Sequence, residues 1–488
     1  QGFQAEFSAL GGLLLLVTAA TGGEIDLSGV RTATGGGRGV NGGGPLEFRT
    51  DATGLIRLTA LTQLNGVNAG IQVNCARTNL DLPQLTAATL TRFTLPANGL
   101  VSASALASLQ TCRLTIPNGA RLAAPAFGQF LNSTLELSGS GVFDHGTLTT
   151  VESSRFLLSA GATYTLPAHL QSFVSSAAFG MNEERILFSA TGAGTRLDLS
   201  SLTNIAGIFS ASGGLLLRIQ ATSGGEVDLS GLRIVTGGGS GVNGGGPFEF
   251  YEDAASQLRL SALEQAAGTG AGLLFTLAAT NELTAAQLTV TNTRIVLATN
   301  SLATVGTLVL LTDGELSGSG TLQGSVTNSG EVRPGTSAGR LTVDGNYIQT
   351  HTGTLFVEVG GTNAGTQYDQ LAVTGNALLD GTLNLQLINN YAPDLTNTFQ
   401  VLPCGSRVGQ FASVLGTDAG KSVTFIPAYE TNSVWLGLTF ATGPSVVAAW
   451  PAGSLTHTFD QFTLTFSEAL TASSFTTADI SLTSPAGA

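Results

Sequence analysis

A long internal duplication constrains the fold of this chain more than any other feature of its sequence. Residues 7–61 align without a gap with residues 209–263, at an offset of 202 residues. The matching text includes GGEIDLSGV against GGEVDLSGL and TGGGRGVNGGGP against TGGGSGVNGGGP. Two copies of one unit are therefore present, and such repeats are typical of architectures in which successive units stack on one another.

A shorter pattern lies inside each copy: an apolar residue, any residue, a second apolar residue, and a third apolar residue three positions later. It recurs every 24 to 31 residues, within the range that marks solenoid proteins. The spacing of two puts alternate residues on opposite faces of a short strand, so the apolar residues face inward. The six occurrences are Ile25, Leu27 and Val30; Ile56, Leu58 and Leu61; Leu80, Leu82 and Leu85; Leu197, Leu199 and Leu202; Val227, Leu229 and Leu232; and Leu258, Leu260 and Leu263.

These patterns predict an all-β fold. Gly, Ser, Asn and Pro end each short strand, and no long helical pattern separates the strands. We expect a right-handed parallel β-helix over residues 1–325, in which stacked coils bury a core that no single coil buries alone. Its cross-section, with two or three sheets, stays open. A leucine-rich repeat fits less well because its Asn ladder and fixed short period are missing.

Stacking also predicts charge ladders on the outer surface, because equivalent positions in neighbouring coils lie about 4.8 Å apart. Each exposed pair of opposite charges contributes only tenths of a kcal/mol. The expected ladders are Asp26, Arg57 and Asp81 in one copy, and Asp198, Asp228 and Arg259 in the other.

The composition argues against several classes of function. Only 10% of the residues are charged and the net charge is −13, which argues against nucleic acid because phosphates need clustered Lys and Arg. The apolar run from Leu13 to Val17 is far shorter than the roughly 20 residues that cross a bilayer. Cys75, Cys112 and Cys404 are too few and too widely spaced for a disulfide framework or a zinc site. The pairing of Cys75 with Cys112 stays open.

Residues 314–402 resemble the carboxy-terminal part of autotransporter-type passenger domains and related giant bacterial surface proteins. The similarity rests on GSGTL at 318–322, PGTSAGRLTVDGNY at 334–347 and YDQLAVTG at 368–375. The resemblance implies that residues 326–441 form the last coils and a β cap. It also implies an extracellular or cell-surface location in a bacterium.

Residues 442–488 resemble the first strands of bacterial immunoglobulin-like domains. The segment is about half as long as such a β-sandwich, so we expect a partial domain and a longer parent polypeptide whose adjacent domains contact this chain. The residues expected to face inward are Val446, Trp450, Phe462, Leu464 and Phe466.

Two glycine-rich blocks raise the question of a phosphate site. They comprise Gly35–Gly37 with Gly42–Gly44, and Gly237–Gly239 with Gly244–Gly246. A phosphate loop needs a following helix and a Lys, so we interpret the blocks as tight lateral loops with positive φ. The segment GTDAGKS at 416–422 is one residue short of phosphate-loop spacing. No cofactor and no metal ligand are predicted.

A polysaccharide lyase or hydrolase of the pectate-lyase-like β-helix type is the main alternative function. Such enzymes gather several acidic groups on one outer face, so three or more acidic residues in one groove would favour it. Asp144 beside His145 is the closest acid–base pair, and Glu183 to Arg185 is the densest charge cluster. Neighbours on a strand point to opposite faces, so we interpret the pair as a solvated turn and the cluster as a loop.

Aromatic residues offer a third possibility, a module that stacks against sugars. Phe248, Phe250 and Tyr251 are the closest group, but strand alternation leaves at least one of them in the core. We therefore predict a non-catalytic extracellular scaffold or adhesin segment without assigned catalytic residues. Glycans or other cell-surface components are its expected partners.

Overall fold

The computed structural model describes residues 2–8, 15–38, 43–76, 79–178, 185–210, 216–240, 245–282, 285–420, 423–440, 446–450 and 461–466. These residues form strands and turns, and no helix occurs among them. Consequently, no described segment is a helix that could cross a membrane. The all-β prediction is confirmed.

Most strands pair in parallel and belong to three sets, which we call sheets I, II and III. Sheet I starts with Gly2–Ser8, Thr32–Arg38, Gln63–Gly66, Ala87–Thr89, Ser108–Gln110 and Gln129–Leu131. It resumes with Ser172–Ala178, Asn204–Ser210, Ile234–Ser240, Gln265–Gly268, Leu288–Thr291, Leu302–Leu310, Thr321–Asn328, Tyr347–Gln349, Asn376–Leu379 and Ser406–Gly409, with Thr280–Glu282, Arg340–Asp344 and Gln370–Val373 paired alongside.

Sheet II is the longest uninterrupted set, and its strands pair in chain order from the first to the last. They are Leu15–Ala19, Leu46–Thr50, Ile71–Cys75, Thr91–Thr94, Arg113–Ile116, Thr134–Ser138, Arg155–Ser159, Arg185–Thr191, Leu217–Thr222, Phe248–Glu252, Leu273–Leu277, Thr293–Leu297, Gly314–Gly318, Glu331–Pro334, Thr354–Val359, Thr382–Leu387 and Ser413–Leu415.

Sheet III consists of three short groups. They are Glu24–Asp26 and Leu55–Arg57; Asn79–Asp81, Leu100–Ser102, Arg121–Ala124 and Val142–His145; and Thr163–Thr165, Arg196–Asp198, Glu226–Asp228 and Gln257–Arg259. A coil is one passage from sheet II through sheet III and sheet I back to sheet II. Long parallel sheets with this connectivity are compatible with a parallel β-solenoid.

The connection between sheets I and III changes along the chain. Three sheets are present up to residue 259, and beyond it the strand that would extend sheet III joins sheet I. The strand Leu302–Leu310 shows this directly, because its first half pairs with Thr280–Glu282 and its second half with Leu288–Thr291. Arg340–Asp344 then pairs with Gln370–Val373, separately from the pair of Tyr347–Gln349 and Asn376–Leu379. Three stacks of strands therefore continue beyond residue 259, and two of them are joined through the long strands Leu302–Leu310 and Thr321–Asn328.

The predicted apolar pattern forms the core. Leu58, Leu61, Leu199 and Leu202 are at most 2% exposed, and they belong to one cluster of buried side chains that runs through the coils. The third apolar residue closes a tight turn: the Leu61 N–H donates to the Leu58 carbonyl at 3.0 Å. The pattern is thus a strand followed by a turn. Ile25, Leu27, Val30 and Leu80 are only partly buried.

The duplication is visible in the strands. Thr32–Arg38, Leu46–Thr50 and Leu55–Arg57 recur 202 residues later as Ile234–Ser240, Phe248–Glu252 and Gln257–Arg259. The structural repeat continues past the sequence match, because Ile71–Cys75 corresponds to Leu273–Leu277 at the same offset.

The last part of the chain changes to antiparallel pairing. Phe399–Pro403, Ser433–Phe440, Val423–Glu430 and Asp418–Gly420 form one antiparallel sheet, in that order. Its residues Phe399, Phe425 and Leu436 belong to the same buried cluster as the coils.

Most of the segment predicted to be immunoglobulin-like lies outside the described residues. Its described part is an antiparallel ribbon of Val446–Trp450 and Thr463–Phe466. Val446 and Trp450 are 51% and 64% exposed, so the expectation that they face inward is wrong for this ribbon. Phe462, Leu464 and Phe466 are half-buried.

Candidate functional site

Asp144 and His145 end the strand Val142–His145, so they lie on a strand and not in the expected turn. The Asp144 carboxylate is paired with Arg121 of the preceding coil. The His145 ring lies 2.8 Å from the Gly146 carbonyl through Nδ1 and 3.0 Å from the Tyr164 hydroxyl through Nε2. Both groups have structural partners of their own, which does not favour an acid–base pair.

The glycine blocks are explained by close packing between coils. Gly36 lies within the strand Thr32–Arg38 at φ +145°, and a Cβ there would lie 1.8 Å from the Val67 carbonyl oxygen of the next coil. Its counterpart Gly238 has φ +140° and the same conflict with Thr269. Positive φ is therefore confirmed, but in a strand and not in a lateral loop. Parts of both blocks, at 42 and 244, lie outside the described residues.

Two further charge motifs are only partly described. Glu183 and Glu184, and the side chain of Arg185, lie outside the described residues, as do Lys421 and Ser422 of the GTDAGKS segment. The described part of that segment includes the strand Asp418–Gly420, so its expected position among strands is confirmed.

The aromatic trio belongs mainly to the core. Phe248 and Phe250 are fully buried, and Phe250 stacks on Phe275 of the next coil at a centroid distance of 4.8 Å. Tyr251 points outward and lies under the guanidinium of Arg218, at 5.2 Å. The prediction of core or edge packing is confirmed.

The predicted charge ladders are largely present. Asp26 lies opposite Arg57 in register, and Asp228 lies between Asp198 and Arg259. The continuation from Arg57 to Asp81 is wrong, because their strands belong to separate groups of sheet III.

The ion pairs in these ladders run diagonally. Arg57 pairs with Glu24, and the equivalent Arg259 pairs with Glu226 through Nε and Oε1 at 2.7 Å. The Asp residues also hold turns: Asp228 Oδ1 accepts the Ser230 N–H at 3.0 Å.

Cys75 and Cys112 are both free and buried. Burial raises the pKa of the Cys112 thiol to about 11, although the backbone of Thr91 and Gln110 opposes the shift. The thiol donates to the Ala88 and Gln110 carbonyls at 3.4 and 3.3 Å. Cys112 therefore acts as a small polar core residue.

Two clefts of the outer surface bring basic and acidic side chains together. The first, which we call the sheet III cleft, lies beside the last strand of sheet III and has a volume of about 400 Å³. Arg196 occupies one side, with Nη2 2.6 Å from Asp228 Oδ2 and Nη1 against Glu226. Asn281, which also lines it, donates to the fully buried carboxylate of Glu252.

Glu252 is fully buried and hydrogen-bonded at both oxygens. Oε2 accepts the Leu258 N–H at 2.8 Å, and Oε1 accepts the Ala279 N–H at 3.0 Å as well as the Asn281 amide. Burial raises its pKa above the ordinary value despite these donors. The carboxylates of the sheet III cleft are thus engaged within the protein.

The second cleft lies on the outer face of sheet II and has a volume of about 390 Å³; we call it the sheet II cleft. Parallel register builds its floor: Arg294 lies opposite Glu315, and Val296 lies opposite Ser317, which lies opposite Arg333. The remaining lining residues are Pro334, Gly335, Thr336, Ser337, Phe356, Glu358 and Asp369.

Ion pairs fix two sides of this cleft. Arg294 Nε lies 3.1 Å from Glu315 Oε2. Arg333 pairs with Glu331, and its guanidinium lies 4.0 Å above the Phe356 ring, a cation–π contact. Both guanidinium groups are therefore held in place on the rigid sheet.

Asp369 is the most buried of the charged residues that line the sheet II cleft, at 1% exposed. Its Oδ1 accepts the Gly339 N–H at 2.7 Å and its Oδ2 accepts the Glu358 N–H at 2.8 Å. Burial raises its pKa to about 8, with the nearby Glu358 adding to the shift and the two N–H donors and Arg333 opposing it. Asp369 thus anchors the segment that contains Gly339.

Sequence reasoning missed this cleft. Its acidic residues come from two coils, Glu315 from one and Glu358 and Asp369 from a later one, at irregular spacings. Only the register of the strands aligns them, and no local motif marks them. Within the described part of the chain, no group of His, Cys, Asp and Glu side chains is arranged to hold a metal ion.

Comparison with known proteins gives no assignment: no protein-family profile matches the chain, and no curated protein is significantly similar to it.

Proposed function

We propose that this chain is a non-catalytic scaffold or adhesive segment of a large bacterial cell-surface protein, built as a right-handed parallel β-helix. The observation that carries this proposal is the single buried apolar cluster that includes residues from Ala19 to Leu436. A core of this kind makes a stiff rod, because each coil rests on its neighbours. The resemblance of residues 314–402 to passenger domains supports a location outside the cell.

The length of the rod suits this role. Within the described part of the chain, sheet II contains seventeen strands, and at about 4.8 Å per strand it extends over about 75 Å. The surface charges pair between coils, as Arg259 with Glu226 and Arg233 with Glu264. Such pairs stabilise the stack weakly and keep its surface polar.

The antiparallel sheet at the end of the coils supports the proposed β cap. Arg407, on the last strand of sheet I, donates to the backbone carbonyls of Glu430 at 2.8 Å and Tyr429 at 3.3 Å. This covers a strand edge that would otherwise be open to pairing with another chain.

One observation favours the alternative, a polysaccharide-cleaving enzyme: Glu315, Glu358 and Asp369 line one cleft. Glycoside hydrolysis commonly needs two carboxyl groups that face the scissile bond. Here Glu315 is paired with Arg294, and both oxygens of Asp369 accept backbone N–H groups. These contacts favour a structural role for two of the three acids.

Two measurements on the purified chain test the proposal. Small-angle X-ray scattering should give a maximum dimension of about 75 Å or more, and a compact particle would contradict the rod. Incubation with a panel of neutral and acidic polysaccharides, with and without calcium, should release no reducing or unsaturated ends. Turnover that disappears in Glu358→Gln would establish the enzyme instead.

A further inference from the structure

We infer that the sheet II cleft binds a neutral carbohydrate, such as one or two sugar units of a longer glycan. The inference rests on the proposed adhesive function and names its ligand class. Its volume of about 390 Å³ lies in the range of small-molecule sites. Its floor is built from paired strands, so the contact groups are pre-organised.

An accessible hydroxyl without a protein partner lies on the floor of the cleft and can contact a ligand. Ser317 is only 5% exposed and lines the cleft. Its hydroxyl oxygen is open to the cleft and is not enclosed in the protein, and it has no hydrogen-bond partner within the described part of the chain. A ligand hydroxyl would satisfy it as donor or acceptor.

A second group in the cleft is also available. The Glu358 carboxylate is half-buried and forms no hydrogen bond or ion pair with any residue that the structure describes. Arg294 and Glu315, fixed against each other at 3.1 Å, add donors and an acceptor beside it. Adjacent donors and acceptors match the neighbouring hydroxyls of a sugar ring.

The charges favour a neutral ligand over an ionic one. Arg294 is balanced by Glu315, and Arg333 by Glu331, so Glu358 is the carboxylate left unbalanced at the rim. A uronic acid would be repelled by it. A divalent cation lacks a suitable group of ligands among the described side chains. Val296, which is half-buried and lines the cleft, offers an apolar surface for the C–H face of a sugar, whereas the Phe356 ring is covered by Arg333.

The sheet III cleft provides an internal contrast. It has nearly the same volume, about 400 Å³, but Arg196 is bound to Asp228 and Glu226, and Asn281 to Glu252. We expect no carbohydrate to bind there. Ser230, which lines it, is therefore a matched control position for Ser317.

The experiment is titration calorimetry of the full chain with neutral malto-, cello- and manno-oligosaccharides, oligogalacturonate and chitosan oligomers. We expect a neutral oligosaccharide to bind and both Ser317→Leu and Glu358→Gln to weaken it by about tenfold or more, that is about 1.4 kcal/mol. Ser230→Leu should leave binding within about twofold. Thermal unfolding verifies that each variant is folded. If Ser317→Leu does not fold, Glu358→Gln at the rim of the cleft tests the inference alone.

Three results would overturn the inference: no binding by any probe, preferential binding of oligogalacturonate or chitosan, or neutral-sugar binding that both variants leave unchanged. The two proposals fail separately. Absence of both binding and turnover removes the carbohydrate site and leaves the scaffold. Turnover would contradict the non-catalytic function. It would do so even if a neutral sugar binds and the variants weaken that binding, a result that supports the carbohydrate site.

Discussion

Glu47 and Glu249 occupy equivalent buried positions in the two copies of the repeat, yet their arginine partners come from different strands. Glu47 is 1% exposed and is held by Arg49 of its own strand, through Nε to Oε1 at 2.8 Å and Nη2 to Oε2 at 2.7 Å. Glu249 is 5% exposed and is held by Arg218 of the preceding coil, at 2.7 Å. The carboxylate is retained while the cation has moved.

The residues that replace each arginine explain how this exchange is accommodated. Position 49 corresponds to Tyr251, and position 218 corresponds to Leu16. Burial disfavours ionisation of Glu47, but hydrogen bonds from Arg49 and Asn74 outweigh it and lower the pKa of that carboxyl. A buried carboxylate without its cation is strongly destabilising, so each copy needs one of the two arginines.

Arg218→Leu should therefore destabilise the second copy by about 1.5–3 kcal/mol, the usual range for a hydrogen bond to a charged group. The double variant Arg218→Leu/Tyr251→Arg recreates the arrangement of the first copy and should recover most of the loss. Native-state hydrogen exchange of the strand Phe248–Glu252 measures both effects locally. Equal losses in the single and double variants would show that the two arrangements are not equivalent.

A hydroxyl ladder closes a corner between sheets I and II. Ser133 accepts the Cys112 N–H at 3.0 Å and donates to the Leu131 carbonyl at 2.7 Å. Ser154 repeats the contact one coil later, accepting the Ser133 N–H at 3.1 Å. The side chains replace backbone pairing where the strand direction changes.

Ser133→Ala should cost about 1–3 kcal/mol, because it leaves the buried Cys112 N–H without an acceptor. Ser133→Cys is the matched control, since Cys112 itself occupies the equivalent position one coil earlier. We expect Ser133→Cys to lose less stability than Ser133→Ala, because a thiol is a weak hydrogen-bond acceptor and a methyl group is none. Hydrogen exchange of the Cys112 amide measures the difference, and equal protection in Ser133→Ala and the wild type would disprove the role of the hydroxyl.

Gly238→Ala should destabilise the second copy by about 3 kcal/mol or more. The residue has φ +140°, and a Cβ would lie 1.9 Å from the Thr269 carbonyl oxygen. Gly29→Ala is the control, because nothing lies within 4 Å of a Cβ there. Thermal unfolding of the two variants gives the comparison. Similar shifts in both would mean that loss of glycine flexibility, and not the close approach of the coils, sets the cost.

The sequence predicts much of the fold because its constraints are local and repeated. The apolar pattern that includes Leu58 and Leu61 encodes a strand and a turn, and the offset of 202 residues aligns whole strands. Asp26 and Arg57 lie opposite each other, as expected from that apolar pattern. The expectation failed for Asp81, since nothing in the pattern reveals that sheet III is interrupted there.

Other features depend on a register that the sequence hides. Four successive coils stack equivalent residues at intervals of 21 residues, namely Arg92, Arg113, Thr134 and Arg155. The apolar pattern does not reveal this period. The sheet II cleft is harder still, because coils of unequal length bring Ser317 and Glu358 together. Such a site depends on the length of every intervening turn.

Asp369 gives a prediction about pH. Its folded-state pKa of about 8 lies above the ordinary value of 3.8, so between about pH 4 and 8 the folded protein keeps a proton that the unfolded chain has lost. Its contribution to stability is complete below about pH 4 and is lost as the pH rises through 8. The free energy of unfolding should therefore fall by at most about 1.4 kcal/mol per pH unit from this group.

Asp369→Asn separates this effect from the other carboxyl groups. The amide cannot accept both the Gly339 and the Glu358 N–H, so the variant should be less stable overall, but its stability should depend less on pH. Glu358 and Arg333, the charged groups that act on Asp369, are unchanged and contribute to both profiles. Urea denaturation at pH 5, 6, 7 and 8, followed at the coils around Gly339, gives the two slopes. The free energy of unfolding should decline more steeply with pH in the wild type, because only its buried carboxyl loses a proton on unfolding. Parallel profiles would mean that Asp369 is already ionised in the folded protein. In that case its two N–H donors outweigh the effect of burial.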